Sequence, residues 1–374
     1  MTTQDELAKV RGKAPEKRPT VRALATATAH NDCTFARLAL ATRTNLDQLC
    51  DDTYFAVDFG QDPQAFQRGE MFERRVKDKD YAVLIQLLRE KAGFALTDVR
   101  IRDLRSGAIP NEIGLKHRAA ETRQLLKMIA HKAINAPNII DGAVLTCTIA
   151  GRTAYFEADG LAAASDGKLH VAEVKSFPIT DGRCDNDKLG TACEQAAWYV
   201  LLCRRALIEL KLSPDAVSDE GFIILPMGVG LTPTLLIQNL AARVRRADRL
   251  LASTPTGDDM LMVASGLQFP ASNVDPQARL DTLEQMMDKV GTNYRPDCLQ
   301  DCGMGRLCRG RAQTTGLATL CGSSVVRLLP GVRTLPRAAE LADGASPAPT
   351  EVHAAAALVR ANSVFNRVLI EGAL

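Results

Sequence analysis

The spacing of apolar residues changes along the chain from a helical period to a strand period and back. It predicts a long helix starting at Gly69 and a second helix over 111–133. Three runs then show the composition of strands, at 143–149, 155–161 and 169–176. Further helices are predicted at 192–211, 241–251, 275–290 and 352–370, and further strands at 221–226 and 235–237. This order predicts an α/β fold with a mixed central β-sheet flanked by helices.

Charged residues lie within the second and third predicted strands, which the polar turn 165–168 joins as a hairpin. Asp159 lies on one side, and Glu173 and Lys175, two residues apart, share a face on the other. The strand around them is apolar, and buried charges are rare unless they are paired or bound to metal. Two carboxylates can hold a hard divalent cation, which polarises a phosphate and supplies hydroxide. A lysine beside them can neutralise the charge that develops. The hairpin therefore predicts hydrolysis of a phosphodiester.

Four motifs in order resemble the RecB-type branch of the PD-(D/E)xK nucleases. They are Gly69 followed by Glu73, then Asp159, then Glu173-Val174-Lys175, then Gln195 with Tyr199 four residues later. The resemblance covers about residues 30–310 and implies a restriction-endonuclease-like core. It implies that Glu73, Asp159, Glu173 and the carbonyl of Val174 ligate Mg²⁺ or Mn²⁺. It also implies that Lys175 is the catalytic lysine, and that Gln195 and Tyr199 position the site or touch the DNA backbone.

Three cysteines lie close together near residue 300, as Cys298-x3-Cys302-x5-Cys308. Soft thiolates at this density predict zinc or an iron–sulfur cluster. The CRISPR-associated exonuclease family and the AddB nuclease subunit are similar: they place one cysteine before the nuclease core and three after it, usually with x2 in the first gap. That resemblance implies a structural [4Fe–4S] cluster with Cys33 as the fourth ligand. The alternative is zinc, or a cluster, that uses Cys321.

Composition limits the remaining choices. The 374 residues carry a net charge of only +2, so contact with nucleic acid must come from local basic patches. No apolar run is long enough to span a membrane, and the N-terminal residues lack the apolar core of a secretory signal. We therefore expect no membrane partner and a cytoplasmic protein, in which ten cysteines are not a disulfide framework.

The predicted organisation has five parts: a flexible basic tail (1–20), a helical part with the first cluster cysteine and the metal-site helix (21–135), the nuclease core (136–240), a helical region with the cysteine cluster (241–321) and an extension with a linker and a terminal helix (322–374). The expected activity is a Mg- or Mn-dependent deoxyribonuclease, exonucleolytic or end-processing, in antiviral defence, CRISPR-type adaptation or DNA repair. Its expected partners are single-stranded DNA or duplex ends and the proteins of such a complex. The alternatives are a catalytically inactive RecB-like DNA-binding or scaffold subunit and a zinc-ribbon protein.

Overall fold

The computed structural model describes residues 2–29, 32–50, 63–228 and 230–371. The chain forms two compact units, which are described separately. One comprises Met1–Lys17, Ala29–Gly60 and Gly257–Leu374, and the other comprises Arg18–Thr28 and Gln61–Thr256. We call them the cysteine unit and the sheet unit. The sheet unit holds every residue predicted to bind the divalent metal, and the cysteine unit holds the predicted cluster ligands.

The described residues form α-helices and β-strands that are numbered in chain order. The helices are α1 Thr3–Arg11, α2 Val21–Ala29, α3 Thr34–Thr42, α4 Leu46–Cys50, α5 Pro63–Glu90, α6 Glu112–Ala130, α7 Asn186–Glu209, α8 Ala241–Ala252, α9 Gly257–Val263, α10 Pro276–Val290, α11 Cys298–Asp301, α12 Gly305–Thr315, α13 Ser323–Leu328, α14 Leu335–Ala342 and α15 Val352–Glu371. The strands are β1 Ile101–Asp103, β2 Ile139–Asp141, β3 Val144–Ile149, β4 Arg152–Glu157, β5 Gly160–Ala163, β6 Leu169–Val174, β7 Glu220–Met227 and β8 Thr232–Asn239.

The sheet unit is built on a six-stranded sheet in the order β1-β2-β5-β6-β7-β8. The pairs β1–β2 and β6–β7 are parallel, and the other neighbours are antiparallel. Helix α5 packs on one face, where Phe72 and Val76 share a core with Ala172 and Phe222. Helix α7 covers the other face, because a side chain on Gly221, next to Phe222, would approach its Ala196. The predicted mixed α/β fold with a flanked central sheet is confirmed.

The predicted strand over 155–161 is two strands in the structure. Strand β4 pairs with β3 in a separate two-stranded sheet, whereas β5 joins the central sheet between β2 and β6. Between them, Asp159 lies where the chain passes from one sheet to the other. Strands β1 and β2 were not predicted, because at three residues each they are too short to show a period.

Helix α5 is divided near its middle. Asp78 has an extended ψ of 158°, and Lys79, Asp80 and Tyr81 all have positive φ between 50° and 63°. The first segment carries Glu73, and the second supplies core leucines, among them Leu88. The predicted continuous helix is therefore two helical segments.

The cysteine unit is helical. The chain before residue 20 was predicted to be a flexible tail, but its structure differs from that prediction because α1 forms there. Thr2 and Asp5 make a reciprocal cap at the start of α1, and Leu7 and Val10 are buried. Part of the linker predicted within the extension 322–374 is also helical, since α14 precedes the terminal helix α15 and the two pack together on a small apolar core that includes Leu341.

Candidate active site

Glu173 and Lys175 lie at the end of β6. Glu173 is only 3% exposed, although it is a carboxylate. Its Oε1 accepts a hydrogen bond of 2.5 Å from Lys175 Nζ. Its Oε2 is also buried and has no hydrogen-bond partner among the described residues. A buried carboxylate oxygen without a donor is costly, so this oxygen is suited to a ligand that the protein itself does not provide.

The carboxylate of Asp159 is held beside this strand. Its Oδ2 accepts a hydrogen bond of 3.1 Å from the backbone N–H of Val174. Burial raises the pKa of Glu173 to about 7, with Asp159 adding repulsion that Lys175 partly offsets. Burial opposes the charge on Lys175, but the carboxylates of Glu173 and Asp159 outweigh it and raise the pKa of that ammonium. Lys175 is therefore a fixed positive charge rather than a base near neutral pH.

Glu73, the third predicted metal ligand, is engaged by two cations. Its Oε1 accepts hydrogen bonds of 2.5 Å from both Lys77 Nζ and Arg105 NH1. Burial alone would raise the pKa of Glu73, but Lys77 and Arg105 outweigh it and lower that pKa. The structure thus brings Glu73 into the same charged network as Asp159, whose backbone carbonyl accepts a bond of 3.1 Å from Lys77.

Asp141, at the end of β2, is a member of this network that the sequence analysis did not find. It is 4% exposed, and it accepts hydrogen bonds from Lys77 (2.8 Å) and from the hydroxyl of Tyr81 (2.6 Å). Arg105 NH1 lies 3.4 Å from its Oδ1. Asp141 could have been predicted from the sequence, because it directly follows the apolar residues Ile139 and Ile140. The same kind of apolar context indicated Glu173.

Arg105, in the loop after β1, bridges the carboxylates and was also not predicted. Besides Glu73 and Asp141, its Nε donates to Glu157 Oε1 at 2.5 Å. Arg118 NH1 lies 2.8 Å from the other oxygen of Glu157. The loop after β1 thus brings a cation into contact with residues from α5, β2 and β4.

Gln195 and Tyr199 lie on α7, as predicted, and the structure gives them different surroundings. The hydroxyl of Tyr199 donates a hydrogen bond of 2.5 Å to the backbone carbonyl of Glu157. Burial raises the pKa of Tyr199, and the charges of Glu173 and Asp159 raise it further, so the phenol stays protonated. Gln195 Oε1 is buried without a hydrogen-bond partner among the described residues.

The four predicted cluster cysteines come near one another within the cysteine unit. Burial raises the pKa of Cys298 to about 11, with a contribution from Cys33. Burial also raises the pKa values of Cys302 and Cys308, and both are raised further by Cys33 and Cys298. For Cys321 burial is the only cause of its raised pKa. The three clustered cysteines therefore have Cys33 rather than Cys321 as the neighbour that influences them.

Hydrogen bonds fix the chain next to Cys33. The carboxylate of Asp32 accepts bonds from the backbone N–H of Ser323 (2.8 Å) and from its hydroxyl. Asn293 donates a side-chain N–H to the backbone carbonyl of Asp32 at 2.6 Å. None of the cysteines in the described residues forms a disulfide. Nor do three or more His, Cys, Asp or Glu side chains stand in a metal-holding arrangement anywhere in the part of the chain that the structure covers.

Comparison with known proteins adds little to this geometry. No protein-family model matches the chain, and no curated protein matches it. Among solved structures, one titled "Crystal structure of SSO0001" is 14% identical, with a TM-score of 0.19, over 50% of this chain and 86% of that one. A TM-score at this level does not establish a shared fold. Among the described residues, no helix is long and apolar enough to cross a membrane.

Proposed function

We propose that this chain is a metal-dependent DNA nuclease of the RecB-type PD-(D/E)xK family, with a restriction-endonuclease-like core in the sheet unit. The observation that carries the proposal is the orphaned Oε2 of Glu173, buried beside a second carboxylate and a lysine. A structural ion pair would satisfy both oxygens, whereas a metal site leaves one for the ion. The proposed setting is antiviral defence, CRISPR-type adaptation or DNA repair in the cytoplasm.

The residues at this position fit a hard divalent cation. Glu173 and Asp159 would supply carboxylate oxygens, and the backbone carbonyl of Val174 would add a neutral oxygen. The pKa of Glu173, raised to about 7 mainly by burial, is that of a carboxylate whose ionised form a bound cation would favour. Bound there, Mg²⁺ or Mn²⁺ would polarise the phosphate and lower the pKa of a water molecule.

The other residues position the substrate and stabilise charge. The ammonium of Lys175, held by Glu173, would neutralise the negative charge that develops on the phosphate. Tyr199 is anchored on the carbonyl of Glu157, so it would hold α7 against the strand that precedes Asp159. Gln195 has a buried amide oxygen to spare, which suits a role in orienting a metal-bound water or the DNA backbone.

We further propose that Cys33, Cys298, Cys302 and Cys308 hold a structural [4Fe–4S] cluster. What supports this is that Cys33 raises the pKa values of Cys298, Cys302 and Cys308, whereas Cys321 is not among the causes for any of the three; Cys50 also acts on Cys308. Such a cluster would join α3 to the segment that begins at α11, two parts of the cysteine unit that are far apart in sequence. Anaerobically purified protein should be brown and contain iron. A colourless protein with zinc would support the alternative with Cys321.

The second candidate is a DNA-binding or scaffold subunit that retains the fold without catalysis. The observation that favours it is the pairing of Glu73 with Lys77 and Arg105, since a carboxylate that is already neutralised does not need a metal. Binding of DNA that is equally strong with and without divalent metal, and no cleavage of any substrate, would support this candidate.

The direct test is cleavage of end-labelled single-stranded and duplex DNA with Mn²⁺ or Mg²⁺. We expect Lys175→Ala to lower the rate by about 10²–10³-fold, since it removes one charge-stabilising donor. The matched control is Lys188→Ala on α7, whose side chain is 63% exposed and pairs with Asp185 at the helix start. Wild-type activity in a folded Lys175→Ala protein, free of host nucleases, would refute the nuclease proposal.

A further inference from the structure

Glu73 is shared between two cations of unequal accessibility. Lys77 is 13% exposed and is held at three points, by Glu73, Asp141 and the carbonyl of Asp159. Arg105 contacts Glu73, Asp141 and Glu157, but its side chain is 34% exposed, so it is the more accessible of the two cations. A ligand arriving from solvent therefore meets Arg105 before it meets Lys77.

The charges of the network are nearly balanced without a metal. The carboxylates are Glu73, Asp141, Glu157, Asp159 and Glu173, and the cations are Lys77, Arg105, Arg118 and Lys175. When all nine groups are ionised, five negative and four positive groups leave one negative charge. A divalent cation alone would reverse that sign, but a divalent cation with one phosphodiester would bring the network to neutrality. The charge count therefore favours binding of the two together.

The contacts of Arg105 suit an exchange of partners. A guanidinium binds carboxylate and phosphate with the same forked geometry, so a phosphate can compete for the N–H groups that now face Glu73. If Arg105 turns to a phosphate, Glu73 loses one of its two donors. The carboxylate of Glu73, left with Lys77 as its one remaining cation in the network of described residues, is then less neutralised and becomes a better ligand for a metal that Asp159 and Glu173 already favour.

We propose that Arg105 acts as a latch: its ion pair with Glu73 keeps that carboxylate from binding a metal, and a DNA phosphate that binds Arg105 releases it. DNA and the divalent cation would then bind cooperatively. The inference rests on the proposed function for the identity of both ligands. Arg105 would be a positioning residue, since it acts through Glu73. Because coupling is reciprocal, the metal would strengthen DNA binding by the same factor by which DNA strengthens metal binding.

The test measures the dissociation constant of Mn²⁺, by calorimetry or by electron paramagnetic resonance, with and without a single-stranded oligonucleotide. All proteins carry Lys175→Ala so that the DNA stays intact. The test variant is Arg105→Gln, and Arg105→Lys keeps the charge. The matched control is Arg102→Gln on β1, an arginine that is 56% exposed and pairs with Glu121.

We expect DNA to tighten Mn²⁺ binding about tenfold in the Lys175→Ala protein and in the Arg102 control. Arg105→Gln should bind Mn²⁺ tightly even without DNA, with about the dissociation constant that the Lys175→Ala protein shows in the presence of DNA. Added DNA should then no longer change the Mn²⁺ affinity of this variant. Arg105→Lys should restore most of the coupling. Unchanged Mn²⁺ affinity and coupling in Arg105→Gln would overturn the inference.

The two proposals fail in different ways. If wild-type protein cleaves DNA and shows no coupling between DNA and Mn²⁺, the nuclease stands and the latch is wrong. If the coupling is present and the wild-type protein cleaves nothing, the latch stands and the nuclease assignment is wrong. No Mn²⁺ binding at any DNA concentration would overturn both.

Discussion

Replacement of Glu173 by glutamine should change how the stability of the metal-free protein depends on pH. The folded protein holds the proton of Glu173 up to about pH 7, whereas the usual pKa is 4.5. Between these values the folded state binds more protons than the unfolded state, so the stability that this group contributes falls as pH rises. One pKa unit corresponds to about 1.4 kcal/mol, so the wild type should lose about 2–3 kcal/mol between pH 5 and pH 8 through this group alone. Glutamine has the same shape and does not titrate.

Trp198 provides the measurement. It is the single tryptophan in the sequence, is buried on α7, and belongs to the sheet unit together with Glu173. Its fluorescence therefore follows the unfolding of this unit by urea in the presence of a chelator. The unfolding free energy of Glu173→Gln relative to that of the wild type should rise by about 2–3 kcal/mol from pH 5 to pH 8. Glu220→Gln, at the exposed start of β7, is the control and should show no such change.

Two results would refute this reasoning. One is a difference between Glu173→Gln and wild type that does not vary with pH. The other is a shift in the opposite direction, which would mean that the Lys175 ion pair outweighs the burial of Glu173 and lowers its pKa. Added Mn²⁺ should stabilise the wild type more at pH 8 than at pH 6, because the metal binds the ionised carboxylate in competition with a proton.

Two further predictions concern positions that hold the sites in place. Gly142 has a φ of +63°, and a Cβ there would lie 2.5 Å from the side chain of Arg105, so Gly142→Ala should lower the unfolding free energy by about 2 kcal/mol in the same fluorescence assay. Gly182→Ala is its control, since φ is +74° there with no atom within 4 Å, and an equal loss in both variants would rule out the clash as the cause. Asp32→Ala removes the acceptor of two hydrogen bonds from Ser323 beside Cys33, so under the proposal of an iron–sulfur cluster a chelator should remove iron from this variant several times faster than from wild type, as followed by visible absorbance. An unchanged rate of iron loss would show that Asp32 does not position this cysteine.

The sequence was sufficient to predict the strand that carries Glu173, because an apolar run with charges inside it is unusual and β6 is long enough to show it. The hairpin partner was predicted less well, since β4 and β5 are contiguous apolar segments with Asp159 between them. Their membership of different sheets depends on pairing with distant strands. No local pattern encodes that choice.

Three cations of the site, Lys77, Arg105 and Arg118, were not predicted for the same reason. Arg105 and Glu73 are 32 residues apart in sequence, and they meet because β1 lies at the edge of the sheet beside β2. His170 shows that burial is also hard to predict from residue type. Its ring stacks on Phe222 at a centroid distance of 4.7 Å and is 7% exposed. A polar residue type therefore did not indicate exposure here.

The break in α5 gives the charge network two helix ends in place of a continuous helix. The first segment stops at Asp78, so Lys77 lies in its last turn, and the carboxyl end of a helix carries partial negative charge. The second segment starts after Tyr81, whose hydroxyl donates to Asp141, so amide groups with partial positive charge begin on that side. An unbroken helix would place neither a negative carboxyl end nor a positive amino end at this position. The backbone dipoles thus contribute to the electrostatic field at the site without an additional charged side chain.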